Sequence, residues 1–357
     1  MEEEKNVEQP EKIGCKKAEV KPNPKKVWVY FTIKSARGKD KVCLPYALAK
    51  KLEKSGNVKI IGELTMNCKV KTNNTAESRC KLELGLYRRV ILLPLGARFT
   101  GLDENNQDQT IEEWIEAGIH AANPANRFYP MPLFTNCEDN SEDNTEWTNG
   151  YGTTYVVREG AFAFTQNFER DVCLTRRLLA FNGQTFRALI VDNQNNIQGV
   201  QLSDGFTGET CSVWVSQPKA NSASEFSEPS IRYSFTNPNE HKQREIRQSD
   251  IAYGDINGLE DVTFIQPDGA GTFRIVTADC GNIDVTAEFA ALSGEATGWL
   301  LDGTNPGTAP TYSSENGYFS IGSQDGDWSL AAPDVLYGLG VSNKAMDDAV
   351  ELEGEIV

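Results

Sequence analysis

Phe186-Arg-Ala-Leu-Ile-Val191, Asp192-Asn-Gln-Asn-Asn196, Ile197-Gln-Gly-Val-Gln-Leu202: two β-prone runs separated by five turn-forming residues predict a β-hairpin. Downstream, Cys211 to Val215 reads as another strand. Ile231, Tyr233 and Phe235 then alternate with Arg232, Ser234 and Thr236, the period of a half-buried strand. Upstream, Thr153 to Phe168 is one long β-prone segment with Phe162, Phe164 and Phe168 on one side. Asp171 predicts the N-cap of a short helix through Leu174, Leu178 and Leu179, closed by Asn182-Gly183. Thr110 and Glu113 make a capping box ahead of the stripe Ile111, Ile115 and Ile119. Residues 135–150, rich in Asn, Asp, Glu and Thr, read as an exposed loop. Residues 94–254 are therefore expected to form a central antiparallel β domain with flanking helices.

The flanks differ in character. Residues 1–25 are charged and lack apolar periodicity, so they read as a flexible arm. Val27 to Ile33 is strongly β-prone, Leu44, Leu48 and Leu52 predict a helix after Pro45, and Val58–Val70 and Leu82–Leu93 read as strands. Together they predict a small basic α+β module over 26–93. A second boundary falls near 250–258. Beyond it, Asp261–Ile265 and Thr272–Val276 bracket the turn Pro267-Asp268-Gly269, and short strands recur between Gly, Asn and Asp turns. That spacing predicts an immunoglobulin-like β-sandwich over 255–343, although the Cys…Trp…Cys spacing of antibody domains is missing. Residues 344–357 are expected to be a loose acidic tail. The fold class is mainly β (α+β).

The length of 357 residues predicts two or three domains. Thirty-five Lys and Arg against 51 Asp and Glu give a net charge of −16, the opposite of a protein that wraps DNA. The charge is polarised: residues 1–93 carry +10, 94–254 carry −10 and 255–357 carry −16. Such asymmetry bears on partners, and one reading is self-association of a basic module with an acidic module of the next copy. No apolar window approaches the roughly 20 residues of a membrane helix. The acidic start MEEEKNVEQP is not a secretory signal. With no such signal, the eight dispersed cysteines read as reduced thiols, Cys173 and Cys211 being small core residues.

Chemistry-bearing motifs are sparse. His120 ends the capped helix and His241 lies in a charged loop, neither beside a recognisable nucleophile. P-loop, dinucleotide, nucleophile-elbow and zincin motifs do not occur. Carboxylates are so abundant that no particular pair is informative. Asp255-Ile-Asn257-Gly258 and Asp325-Gly-Asp327 place oxygen ligands close together, but neither completes a calcium loop, and turn chemistry explains them. Phe162, Phe164 and Phe168 suit a core better than a base-stacking platform. Asn73 heads a glycosylation sequon that has no meaning without secretion. No catalytic, cofactor-binding or metal residue is assigned, no cofactor is expected, and the chain reads as structural rather than enzymatic.

The order Gly150-Tyr-Gly152, Arg158-Glu-Gly160, Phe164, Arg176 to Gly183, Phe186 to Asp192 and Asn196 to Gly199 resembles virion structural proteins of tailed bacteriophages. These are phages of Bacteroidota, including the crAss-like group. Val262-Thr-Phe, Thr277 to Gly281 and Asp284 to Phe289 resemble the module that follows in such proteins. The resemblance covers roughly 90–290. It implies a tail-tube or neck-ring protein, with a tail-tube-like β-sandwich or barrel and flanking helices over 94–254: a homo-oligomeric ring or tube in the virion tail or neck, made in the host bacterial cytoplasm. It implies contacts with neighbouring tail, neck or capsid proteins, a lumen that DNA traverses without specific binding, and no membrane span. The alternative is a capsid-decorating or fibre-associated protein whose immunoglobulin-like domain binds host glycans. Exposed Trp299 and Trp328 would favour that alternative, and their burial would count against it.

Overall fold

The hairpin of the opening stretch folds as expected, and both of its strands are buried over consecutive residues, more deeply than a half-buried strand requires. In the computed structural model, residues 26–31, 41–45, 58–60 and 85–355 are described, apart from 104, 218–219, 222–227 and 279–280. Strand outweighs helix, 39% to 16%, and almost all pairing is antiparallel, so the protein is mainly β. The chain divides into two units, 1–66 and 67–357. In the first, strand β1 (Lys26–Phe31) pairs on its two sides with β2 (Lys41–Pro45) and β3 (Val58–Ile60). The arm at 1–25, the helix expected after Pro45 and Asn73 lie outside the described residues.

The second unit opens with β4 (Tyr87–Leu93) and helix α1 (Ile111–Ile119), whose capping box is formed as read. Strands β5 (Tyr129–Pro130), β6 (Phe134–Asp139), β7 (Thr145–Thr148), β8 (Thr154–Arg158) and β9 (Ala163–Phe168) follow. Helix α2 (Val172–Leu178), capped by Asp171, leads into β10 (Thr185–Asp192), β11 (Asn196–Leu202), β12 (Gly205–Thr207), β13 (Glu209–Val215) and β14 (Ser230–Phe235). Helix α3 (Pro238–Lys242) and β15 (Arg244–Gln248) complete the region. His241 therefore sits on a short helix rather than in a loop.

Strand β10 organises a ten-stranded sheet. One of its edges pairs with β4 from Arg187↔Leu93 to Asp192↔Tyr87. The other is shared by β13 at its start and β11 at its end. From β13 the sheet continues through β14 and β9 to β6. Val90, Leu92, Ala188 and Ile190 face a core with Phe164, Phe168, Val213 and Tyr233. Ile91, Leu93, Leu189 and Val191 face a second core with Ile111, Ile115 and Ile119 of α1. Burial on both faces explains the unbroken apolar runs in β4 and β10. It also corrects the place of Tyr87–Leu93, which belongs to this sheet and not to the basic module: its apolar residues have no solvent-facing side to spare.

The Asp192 turn is held from inside. Its fully buried carboxylate accepts from the backbone N–H of Gln194 (2.8 Å), Asn196 (2.9 Å) and Gly85 (3.1 Å), and from the Asn196 side chain (2.9 Å). Asn195 takes the left-handed φ of 61° that this turn requires.

Beyond residue 255, β16 (Glu260–Ile265), β17 (Thr272–Thr277), β18 (Trp299–Leu301), β19 (Thr311–Ser313), β20 (Tyr318–Ser320) and β21 (Gly326–Leu330) form two small sheets with β22 (Lys344–Ala345) and β23 (Val350–Leu352). Helix α4 (Pro333–Gly338) lies between β21 and β22. Phe264, Phe273, Phe289, Trp299, Phe319 and Trp328 fill the shared core. The expected loose tail is instead paired: β22 runs parallel to β16 and β23 antiparallel to β21, because Ala345 and Leu352 are buried. Contacts tie this region to α1. His120 is buried, accepts at Nε2 from the Asn343 N–H (3.2 Å), and so carries its proton on Nδ1, 2.9 Å from the Glu116 carbonyl. Its ring stacks on Tyr337.

Candidate assembly surface

The stretch read as a loop is a strand hairpin standing off the main sheet. Among the described residues, β7 and β8 pair only with each other, and every one of their nine residues is exposed. A two-stranded hairpin alone is marginal in water, so its local ties matter. The Asn149 side chain accepts from the N–H groups of Tyr151 and Thr153, both at 3.0 Å, and Gly152 takes φ +81°. Trp147 and Tyr155 face each other across the strands, ring centroids 6.1 Å apart. Trp147 is 57% exposed, and Tyr151 at the tip is 96% exposed. Val156 and Val157 are exposed as well.

At its base the hairpin is anchored by backbone. Asn140 and Glu142 donate to the carbonyls of Ala163 and Ala161, and Gly160 N–H donates to the Asn144 side chain at 2.9 Å. Arg158 pairs with Glu142 and Lys242 with Glu159. This break divides the expected single segment Thr153–Phe168 into β8 and β9. Gly160 is required there: a Cβ would lie 1.7 Å from the Glu142 carbonyl oxygen. Gly160→Ala is expected to loosen this base by about 1–2 kcal/mol, the scale of losing a backbone hydrogen bond. Amide exchange should accelerate over 142–160 while the sheet core stays protected.

A cleft of about 260 Å³ lies at the base, lined by Val156, Phe162, Pro238 and His241 among others. Below it runs a buried charge network. Glu209 accepts from Arg244 Nε at 2.5 Å and from His241 Nδ1 at 3.1 Å. Arg244 also donates to the Tyr87 hydroxyl and lies over the Phe162 ring. Burial alone would raise the Glu209 carboxyl, but the hydrogen bonds from His241 and Arg244 outweigh it and hold the group below the ordinary carboxylate range. The next pair along is Arg187 with Glu240, whose other oxygen accepts from Thr210 N–H.

The residues singled out by sequence fall mainly into structural roles. Phe164 and Phe168 are buried in the sheet core, with Phe162 at its rim. Cys211 is a buried free thiol, but Cys173 is disulfide-bonded, which corrects the expectation of reduced cysteines throughout; spacing alone does not disclose pairing. Ile256, between Asp255 and Asn257, is buried, and the Asn257 N–H turns back onto the Asp255 carbonyl. Among the described residues, no three His, Cys, Asp or Glu side chains gather as a metal site. Trp299 and Trp328 are both fully buried. Among the described residues, no helix is long and apolar enough to cross a membrane. The hairpin itself was missed; Asn149-Gly150 and Gly152 between Thr145-Glu-Trp-Thr148 and Thr154-Tyr-Val-Val157 was the available signal.

Comparison with protein-family models, with curated proteins and with solved structures finds no match for the chain.

Proposed function

We propose that the chain is a structural component of a tailed-phage virion that assembles with copies of itself into a ring or tube of the tail or neck. The observation that carries this reading is the hairpin β7–β8. It presents Trp147, Tyr151, Tyr155, Val156 and Val157 to solvent on an element whose two outer edges pair with no other strand among the described residues. Exposed apolar patches and open strand edges mark surfaces that a partner covers. The resemblance of residues 90–290 to virion structural proteins supplies the kind of assembly.

The solvent side of β6, β9, β14 and β13 suits a DNA conduit. Its cross-strand rows include Glu138–Thr165–Arg232–Trp214 and Ser212–Ser234. One arginine among hydroxyls offers little to hold phosphates, so DNA would pass without counterion-releasing contacts. In this reading the residues beyond 255 form an immunoglobulin-like module on the outside, and the basic segment that precedes β4 docks on neighbours. The glycan-binding alternative loses its aromatic platform, because Trp299 and Trp328 are core residues.

Negative-stain electron microscopy of the purified chain at low and moderate salt tests the assembly. Closed rings or stacked tubes are expected, and persistent monomers under both conditions would overturn it.

A further inference from the structure

A second cleft, of about 370 Å³, opens on the sheet formed by β17, β20 and β19. That volume falls within the roughly 300–1,000 Å³ of small-molecule sites. Strand alternation fixes its floor. Phe319 is fully buried and packs on Phe273 and Tyr312, so its neighbours Tyr318 and Ser320 point to the other face of β20. Thr311 and Thr272 both pair with Ser320, and Ser313 pairs with Tyr318, so all three share that face. The floor is thus a row of three hydroxyls, Thr311–Ser320–Thr272, beside a second row of Ser313 and Tyr318. Adjacent strands set the members of the first row about 4.7–4.9 Å apart.

One wall is the segment 353–355, held by backbone. The Glu353 carbonyl accepts from the Gly271 N–H (2.7 Å), and the Glu355 N–H donates to the Gly322 carbonyl (2.6 Å). The Gln266 amide makes two further hydrogen bonds to the Glu353 backbone, both at 2.9 Å. The side chain of Glu355 is left over to line the cleft. Thr272 gives its proton to the Gly269 carbonyl (3.0 Å) and keeps its lone pairs for a ligand. The Thr311 and Ser320 hydroxyls and the Glu355 carboxylate have no hydrogen-bond partner among the described residues.

Charge narrows the ligand class. Beyond residue 255 the only cations are Arg274 and Lys344. Arg274 is held by Asp268 and Asp284, and Lys344 by Glu260 and Glu288. The region therefore has no spare cation for a phosphate, sulfate or carboxylate. A metal ion would find one carboxylate among hydroxyls, and no metal-binding group of side chains gathers among the described residues.

We propose that this cleft binds a neutral saccharide, with a pyranose ring as the unit recognised. Serine and threonine hydroxyls both donate and accept, as sugar hydroxyls do. Hydroxyls on alternate carbons of a pyranose ring are separated by close to one strand spacing, so the floor row can meet them in register. The Glu355 carboxylate, which only accepts, can take two adjacent sugar hydroxyls. The Tyr318 ring offers an apolar surface to the C–H face of the sugar. Neither Trp299 nor Trp328 takes part. The site is complete in one copy, so it stands apart from the assembly reading.

Saturation-transfer NMR on the full chain tests the proposal, because it detects complexes as weak as millimolar. The probes are methyl glycosides and trisaccharides of glucose, galactose, mannose and N-acetylglucosamine, with glucose 6-phosphate and galacturonic acid as charged controls. At least one neutral probe should bind, and more tightly than either control. The double variant Thr311→Val, Ser320→Ala should weaken that probe at least tenfold, on the scale of two lost hydrogen bonds, and melt like the parent. Glu355→Gln should weaken it several-fold. That side chain makes no bond within the described fold, so this variant decides the matter even if the double variant melts early. Binding of no neutral probe at millimolar concentration overturns the proposal. Equal affinity in the parent and both variants does so too, since the sugar then sits elsewhere. Preference for the charged controls overturns the neutral class.

Discussion

Glu209→Ala is expected to cost about 3–5 kcal/mol of folding stability, the range for removing one partner of a buried ion pair. The carboxylate is nearly inaccessible and answers two donors, Arg244 and His241. Without it, the Arg244 guanidinium remains in the sheet interior with the neutral partners Tyr87 hydroxyl, Gln198 and His241 Nδ1, and no opposing charge from Glu209. Denaturant unfolding at neutral pH reads the loss. The pH dependence has a definite sign. The Glu209 carboxyl is held below its ordinary value in the fold, so its contribution is complete above the unfolded carboxylate pKa. It is lost as pH falls through the lower folded value. The parent should therefore lose more stability than Glu209→Gln on acidification: the two curves should start to converge as pH falls past about 4.3, the ordinary glutamate pKa, and meet only below the lower folded value. Parallel curves over that range would show that the network contributes no proton-linked stability.

Trp299→Ala should cost a similar amount, about 3–5 kcal/mol, through lost transfer energy and the cavity left behind. The indole is fully buried among Phe264, Phe273 and Phe319, and its N–H donates to the Leu292 carbonyl at 3.1 Å. The loss should centre on the two C-terminal sheets, with hydrogen exchange rising in β16–β17 before β10. Trp299→Phe should recover most of the packing while the Leu292 carbonyl keeps the Glu295 N–H (3.1 Å) and loses the indole donor. A ligand-platform tryptophan would behave otherwise, since its removal would leave unfolding unchanged.

Local signals were the ones legible in sequence. The capping box at Thr110 and Glu113, the Asp171 cap, the Asp192 turn and the alternation at Ile231–Phe235 each rest on residues a few positions apart. What was hidden depends on distant partners. Tyr87–Leu93 follows a run of lysines and arginines, and charge describes surface rather than sheet membership. Its partner strand begins nearly a hundred residues later. Glu209 looks like one acid among fifty-one until α3 and β15 bring His241 and Arg244 to it. Val350 and Leu352 are two apolar residues in an acidic stretch, and only β21 shows why they pair. For the proposed assembly surface, charge polarity was visible at once. The arm was not, because its turn sat in a stretch rich in loop-forming residues.

The partnership of β4 with β10 also has a bearing on synthesis. Strand β4 leaves the ribosome about a hundred residues before β10, which must pair along its edge and seal both cores. At roughly 5–20 residues per second, that is about 5–20 s during which Val90-Ile-Leu-Leu93 has no partner. Such long-range pairing also folds slowly once the chain is complete. The nascent protein therefore passes through a period in which this apolar strand is open to chaperones or to a neighbouring nascent chain, and yield in the producing cell would be governed by that interval more than by final stability.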